Sequence, residues 1–143
     1  MRQEGKTLTE LLVVVGIVGI LASMALPNFI SLSAQTEVRC AAEEIASELR
    51  LAKQLALTNR DRVRILIDLD QRELITQFVR SGLTHHVYQY RDKHLVIDEP
   101  SAGPEILFYP SGRSATATTI HLRTQEGQSQ KLTVSITGRV TIL

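Results

Sequence analysis

The sequence predicts an α+β protein: one long N-terminal helix, with a membrane half and an amphipathic half, packed on an antiparallel β-sheet head. Three features carry that expectation. Leu8 to Leu26 is almost entirely apolar and passes without a turn signal into a helix-forming stretch. There, Val38, Ala41, Ala42, Ile45, Leu49, Ala52 and Leu55 or Ala56 recur at spacings of three and four, which is one apolar helix face. From Arg62 the period changes to two, in short runs separated by Gly, Pro and Asp turns. A sheet with one apolar face needs a cover, and the amphipathic half of the helix supplies it.

Leu8 to Leu26 is nineteen residues, long enough at 1.5 Å per residue to cross a hydrocarbon core of ~30 Å. Gly16 and Gly19 allow close helix approach, although their spacing is not GxxxG. Pro27 lacks a backbone donor and should kink or locally melt the helix. The helix then resumes, with Glu37, Glu43, Glu44, Glu48, Arg50 and Lys53 on its polar side, and ends near Asn59. Strands are expected at Val63–Ile67, Leu74–Val79, Val87–Tyr90, His94–Ile97, Ile106–Tyr109 and Thr118–Arg123. Another runs over Lys131–Thr137, with Leu132, Val134 and Ile136 on one face, and Val140 and Ile142 close the chain after Gly138. Asp68–Arg72 and Arg91–Lys93 read as turns, and Asp98–Pro104 as a Pro/Gly loop. Ile45, Leu49, Leu132, Val134 and Ile136 are expected to share one core.

Composition narrows the function. A chain of 143 residues holds one domain plus its anchor. The net charge of +1 gives no global field for nucleic acid. Cys40 is the only cysteine, so no intrachain disulfide forms, and its place beside Ala41 and Ala42 suggests a small buried packing residue. His85 and His86 are adjacent and point to opposite faces of a strand, while His94 and His121 are scattered, so no metal site is expected. Asp68 and Asp70 lack the glycine and distal glutamate of a calcium loop. No phosphate loop or nucleophile motif is present. The expectation is a protein that is not an enzyme and needs no cofactor.

The most informative junction is Gly5-Lys6-Thr7-Leu8-Thr9-Glu10 at the lip of the apolar run. An unpaired carboxylate inside a bilayer costs about 2.5–3.5 kcal/mol or more, so Glu10 calls for a cationic partner. Cleavage after Gly5 would make Lys6 a new N-terminus, whose amine can neutralise Glu10 of a neighbouring copy. This junction resembles that of the type IV pilin and pseudopilin superfamily. In that pattern a short basic leader (here Arg2) ends in Gly (Gly5), Thr7, Leu8 and Glu10 follow, and Pro27 comes after the apolar stretch. The resemblance implies cleavage by a prepilin peptidase after Gly5, N-methylation at Lys6, and assembly roles for Thr7, Leu8 and Glu10. Lys6 stands where the family usually has Phe, which adds a second positive charge beside the new amine.

A second resemblance lies in the C-terminal half. Ile106-Leu107-Phe108-Tyr109-Pro110-Ser111-Gly112 and Val134-Ser135-Ile136-Thr137-Gly138-Arg139-Val140 are similar to the GspH/FimT minor pseudopilins. The organisation this implies is a leader over residues 1–5, a transmembrane and assembly helix over 6–27, and a periplasmic head over 28–143. The implied function is a structural subunit of a type II secretion pseudopilus. Its partners would be other pseudopilins, and it would be held in the bacterial inner membrane, head in the periplasm, before assembly. The alternative is a minor pilin of a type IV pilus that binds DNA during uptake, with Arg113, Arg123, Lys131 and Arg139 as contacts. DNA is not favoured, because Thr141 stands where DNA-binding members carry a second Arg after the Gly-Arg pair.

Overall fold

The computed structural model describes residues 7–143 apart from His94 and Glu126, and the side chains of residues 24–34 are not described. Helix α1 spans Leu8–Asn59, 52 residues. Thr7 caps it in an extended conformation, its side-chain oxygen accepting the Glu10 N–H. Arg60 ends it in the left-handed region at φ 51. The helix is unbroken at position 27, so it does not melt there; the expected kink at the Pro27 side chain falls outside the described residues.

Eight strands follow: β1 Val63–Asp68, β2 Glu73–Phe78, β3 Thr84–Gln89, β4 Leu95–Ile97, β5 Glu105–Phe108, β6 Thr118–Thr124, β7 Ser129–Val134 and β8 Val140–Ile142. They make two four-stranded sheets, ordered β3-β2-β1-β5 and β4-β6-β7-β8, and every pairing is antiparallel. The antiparallel head packed on a long helix is as expected; its division into two sheets was not anticipated. Periodicity tells which face of a strand is apolar, and it does not tell which strands are neighbours.

The core lies between α1 and the inner faces of both sheets. Val38, Ala41, Ala42, Ile45, Ala46, Leu49, Ala52 and Ala56 of α1 are buried against Val63, Ile65, Leu74, Ile106, Phe108, Ile120, Leu122, Leu132 and Val134. Alanines dominate the helix side and long aliphatics the sheet side, so the backbone of α1 can approach the strands closely. The alternating burial of β6, with Thr118, Ile120, Leu122 and Thr124 inside, is the half-buried strand pattern expected there.

Three expectations are corrected. Ile136 is 50% exposed, because β7 stops at Val134 and a tight turn begins, with the Ser135 N–H bonding the Arg139 carbonyl at 2.9 Å. Cys40 is exposed, because it lies two residues after buried Val38, roughly 200° around the helix. Strand β3 begins at Thr84 instead of Val87, and its pairing with β2 shifts between Thr76 and Gln77, a bulge that takes up His85.

Candidate functional site

Among the described residues, nothing on the head covers the first turns of α1. Leu11, Leu12, Val13, Val14 and Val15 are each more than half exposed. Successive helical residues are 100° apart, so these five sample the whole circumference. A helix apolar on every side has no solvent-facing stripe and belongs in an apolar surround. Among the described residues, burial against the head starts at Val38. Among the described residues, no helix is long and apolar enough to cross a membrane.

Glu10 lies in the first turn of this exposed segment. Its backbone N–H is held by the Thr7 carbonyl at 3.0 Å and by Thr7 Oγ1 at 3.4 Å. A carboxylate in the first turn also suits the positive end of the helix dipole. Thr9 Oγ1 donates to Thr7 Oγ1 at 3.1 Å, which fixes the cap. Thr7 is thus a helix-starting residue, and Leu8 is exposed apolar surface. Among the described residues the Glu10 carboxylate makes no ion pair. Gly5 and Lys6, the cleavage position and the expected cation, lie outside the described residues.

Lower on the head, a polar clip ties α1 to the edge strand β3. Glu44 accepts from Lys93 Nζ and from the Tyr88 hydroxyl at 2.5 Å, and Lys93 also donates to Tyr88 Oη at 2.9 Å. The bonds from Lys93 and then Tyr88 hold the Glu44 carboxyl below its ordinary range. Burial and then the Glu44 bond push the Tyr88 phenol up. Burial alone would lower the Lys93 ammonium, but its bonds to Glu44 and Tyr88 outweigh that and raise it. One turn along, Glu48 meets His86 Nδ1 at 3.1 Å. His85 turns away and packs edge-on to Phe78, with ring centroids 5.9 Å apart. No local pattern pointed to this clip, since pairing a helix glutamate with a strand tyrosine needs the tertiary register.

At the C-terminal end of α1, the two C-terminal motifs meet. Phe108 is fully buried, and Gly112 closes the turn after it at φ +76. Gly138, at φ +70, lies directly against it; a Cβ there would collide with the Gly112 carbonyl oxygen. Ser114 N–H bonds the Ile136 carbonyl at 3.0 Å, and Lys53 Nζ donates to the Gly138 carbonyl at 3.0 Å. The sequence placed both glycines in turns, whereas their contact through Lys53 emerges only from the fold.

The four cations singled out for DNA are not brought together. Arg113 and Arg139 sit in the two touching turns. Arg123 and Lys131 lie on the outward faces of β6 and β7, where Lys131 stands opposite His121, and Arg123 is engaged with Asp98. Among the described residues, no group of His, Cys, Asp and Glu gathers to hold a metal.

Comparison with known proteins agrees with this architecture. The sequence profile of a family described as "Type II transport protein GspH" matches residues 41–138. Two fimbrial proteins of Pseudomonas aeruginosa are 44% identical over 55 residues. That match covers 38% of this chain and 35% of theirs, so the chain spans about a third of the curated relatives. The type IV minor pilin FimU of Pseudomonas aeruginosa superposes with a TM-score of 0.66 at 21% identity, covering 78% of this chain and 92% of FimU. The minor pseudopilin EpsH from the type 2 secretion system of Vibrio cholerae gives 0.63 at 18% identity, covering 75% and 96%. At these identities the two structures establish a shared fold.

Proposed function

The chain belongs to the GspH family, and from that premise we propose that it is a minor pseudopilin, a structural subunit that joins other pilin-fold subunits in a type II secretion pseudopilus. The observation that carries this reading is the helix whose residues from Leu11 to Leu21 are apolar on all sides and exposed, and which forms the wall of the head core from Val38 onward. The first part needs an apolar surround that the head does not provide. The second part ties whatever holds the first part rigidly to the head. On this reading residues 1–5 are a leader removed by prepilin peptidase after Gly5, and Lys6 carries the new, methylated amine. Residues 6–27 hold the subunit in the inner membrane before assembly, and residues 28–143 stand in the periplasm. Glu10 pairs with the Lys6 amine of a neighbouring subunit.

Mass spectrometry of the membrane-extracted protein is the direct test, with a chain starting at Lys6 expected. A start at Met1 or within Ala22–Ala25 contradicts the reading. Glu10→Val is expected to leave head stability unchanged and to abolish incorporation into the filament. The likeness to fimbrial proteins and to FimU supports a second reading, a minor pilin of a type IV pilus. Neighbouring genes separate the two: secretion ATPase and secretin genes, or pilus and uptake genes. DNA is a weak ligand on either reading, because the four candidate cations are split between the turns and the outer sheet face.

A further inference from the structure

Strand β3 presents a backbone edge that the rest of the head leaves open. Tyr90 N–H bonds the Arg72 carbonyl at 3.0 Å just past the end of the strand, and the register sets Leu74 opposite Tyr88 and Thr76 opposite His86. Bonded and non-bonded pairs alternate along an antiparallel ladder. His86, Tyr88 and Tyr90 therefore turn their backbone groups to β2, while Val87 and Gln89 turn theirs outward. No described residue bonds the Val87 or Gln89 backbone on that side. The other sheet margins offer less. The outer side of β5 is taken by Ala115 N–H on the Leu107 carbonyl at 2.9 Å, and β4 and β8 are three residues each. Open edges are commonly blunted by proline or lysine, and Thr84 to Gln89 contain neither. Val87 is 39% exposed, on the face that alternation turns away from α1.

The same strand is held in place without its edge being used. Glu48 on His86 and Glu44 on Tyr88, with Lys93 on Glu44, tie the α1-facing side chains down. The edge is thus ordered before any partner arrives, which removes part of the cost of binding. Glu44 also lines, with Arg39 and Glu43, a recess of about 570 Å³ along α1. On this side of α1 three carboxylates, Glu43, Glu44 and Glu48, stand against two full cations, Arg39 and Lys93.

We propose that the free edge of β3 accepts an extended strand of another protein, with an apolar side chain opposite Val87 and basic side chains turned towards α1. Outward N–H and C=O groups that repeat every second residue are complementary to one thing, the backbone of another extended chain. The surplus of carboxylate beside the edge selects the basic side chains. A second copy of this chain does not fit. His86 meets Glu48 and Tyr88 meets Glu44, so β3 runs opposite to α1. Antiparallel pairing of two β3 edges would reverse α1 in one copy and put the two apolar helix starts at opposite ends. Parallel pairing about a two-fold along the strand would set the outward residues of both copies at one height, whereas a parallel ladder needs them offset. The antiparallel exclusion rests on the filament-subunit reading above, in which all copies point one way from one membrane.

The test compares the full chain alone in detergent with the full chain in membranes of a host that assembles it, by amide exchange read residue by residue. In detergent the Val87 and Gln89 amides should exchange fast and the Tyr88 amide slowly. In the assembling membranes Val87 and Gln89 should slow by about tenfold or more, with Tyr88 unchanged. Val87→Pro deletes one outward N–H and no bond to β2, as an edge strand tolerates. It should melt like wild type and lose the protection at Gln89, whereas Val87→Thr should keep it. If Val87→Pro fails to fold, Gln89→Pro with readout at Val87 asks the same question. A photo-crosslinker in place of Gln89 names the occupant: one segment of a different protein, alternating basic and apolar, is expected. Its yield should fall about fivefold or more in Val87→Pro, for the loss of one hydrogen bond. Fast exchange of both amides in the assembling membranes overturns the proposal. So does protection that survives the proline, or a crosslink to a second copy. Leader cleavage and filament incorporation with both amides still fast would sink the edge and leave the function standing. A protected edge in a chain that still starts at Met1 would do the reverse.

Discussion

Replacing Gly138 by alanine should damage the head more than the same change at Gly112, and the two sites form a matched pair. Both glycines have positive φ, +70 and +76, so each alanine meets a backbone cost of about 1–2 kcal/mol. At Gly112 the new methyl group would meet Leu57 Cδ2 at 3.2 Å and Lys53 Cε at 3.3 Å, both on flexible side chains that can shift. At Gly138 it would overlap the Gly112 carbonyl oxygen. That carbonyl belongs to a turn pinned by Gly112 N–H to the Tyr109 carbonyl at 2.8 Å and Tyr109 N–H to the Arg113 carbonyl at 2.9 Å. One of the two turns must move, and the 3.0 Å bond from Lys53 Nζ to the Gly138 carbonyl then goes too. A lost hydrogen bond to a charged donor adds about 1.5–3 kcal/mol. The expected totals are about 1–2 kcal/mol for Gly112→Ala and about 3–5 kcal/mol for Gly138→Ala. Urea titration followed by tyrosine fluorescence reads them, since Tyr90 is 2% exposed and no tryptophan competes. Equal losses at the two sites, or a Gly138→Ala midpoint indistinguishable from wild type, would refute the contact between the turns.

Val134→Asp buries a charge at a position 1% exposed and should cost several kcal/mol, at least about 3. Ile136→Asp, at a half-exposed turn position, should stay within about 1 kcal/mol of wild type; thermal melts compare them, and similar losses would mean that the strand end is misplaced. The Glu44 carboxyl is held below its ordinary value of 4.5. Its contribution to stability is therefore complete above that pH and is lost as pH falls through the lowered value. Glu44→Gln should flatten the acid limb of stability against pH below about 4.5 while leaving the neutral region nearly unchanged. An acid limb identical to wild type would show that the clip on Lys93 and Tyr88 contributes nothing.

The helix was legible almost to the residue, because its 3.6-residue period gives way to a two-residue one within a few positions of Asn59. Strand faces were legible for the same reason: Val63, Ile65, Ile120, Leu122, Leu132 and Val134 alternate, and each is buried. The first half of β3 was not legible. Thr84, His85 and His86 carry no apolar alternation, because this edge strand is held by polar bonds to Glu44 and Glu48 instead of by core packing. Ile136 misled because alternation in sequence runs on past the point where Ser135 and Gly138 turn the chain. Cys40 misled because its small neighbours are buried, although a helical wheel centred on Val38, Ile45 and Leu49 already places it outside. The split into two sheets depends on long-range pairing and left no local trace.

The division of labour within α1 makes folding and assembly separately adjustable. Among the described residues, every α1 side chain buried in the head lies at Val38 or beyond, and the exposed apolar residues from Leu8 to Leu21 are not part of the head core. Changes among the latter can retune how the helix packs with other helices without touching head stability. Changes at Ile45 or Leu49 do the opposite. The helix also does not end where the head begins; it supplies one wall of the core as far as Ala56. A shift of the assembly half along or about its axis must therefore carry the Ala-lined wall, both sheets packed on it, and the turns at Gly112 and Gly138 as one body. Packing of the apolar helices would thus set where each head stands, without any rearrangement of the head.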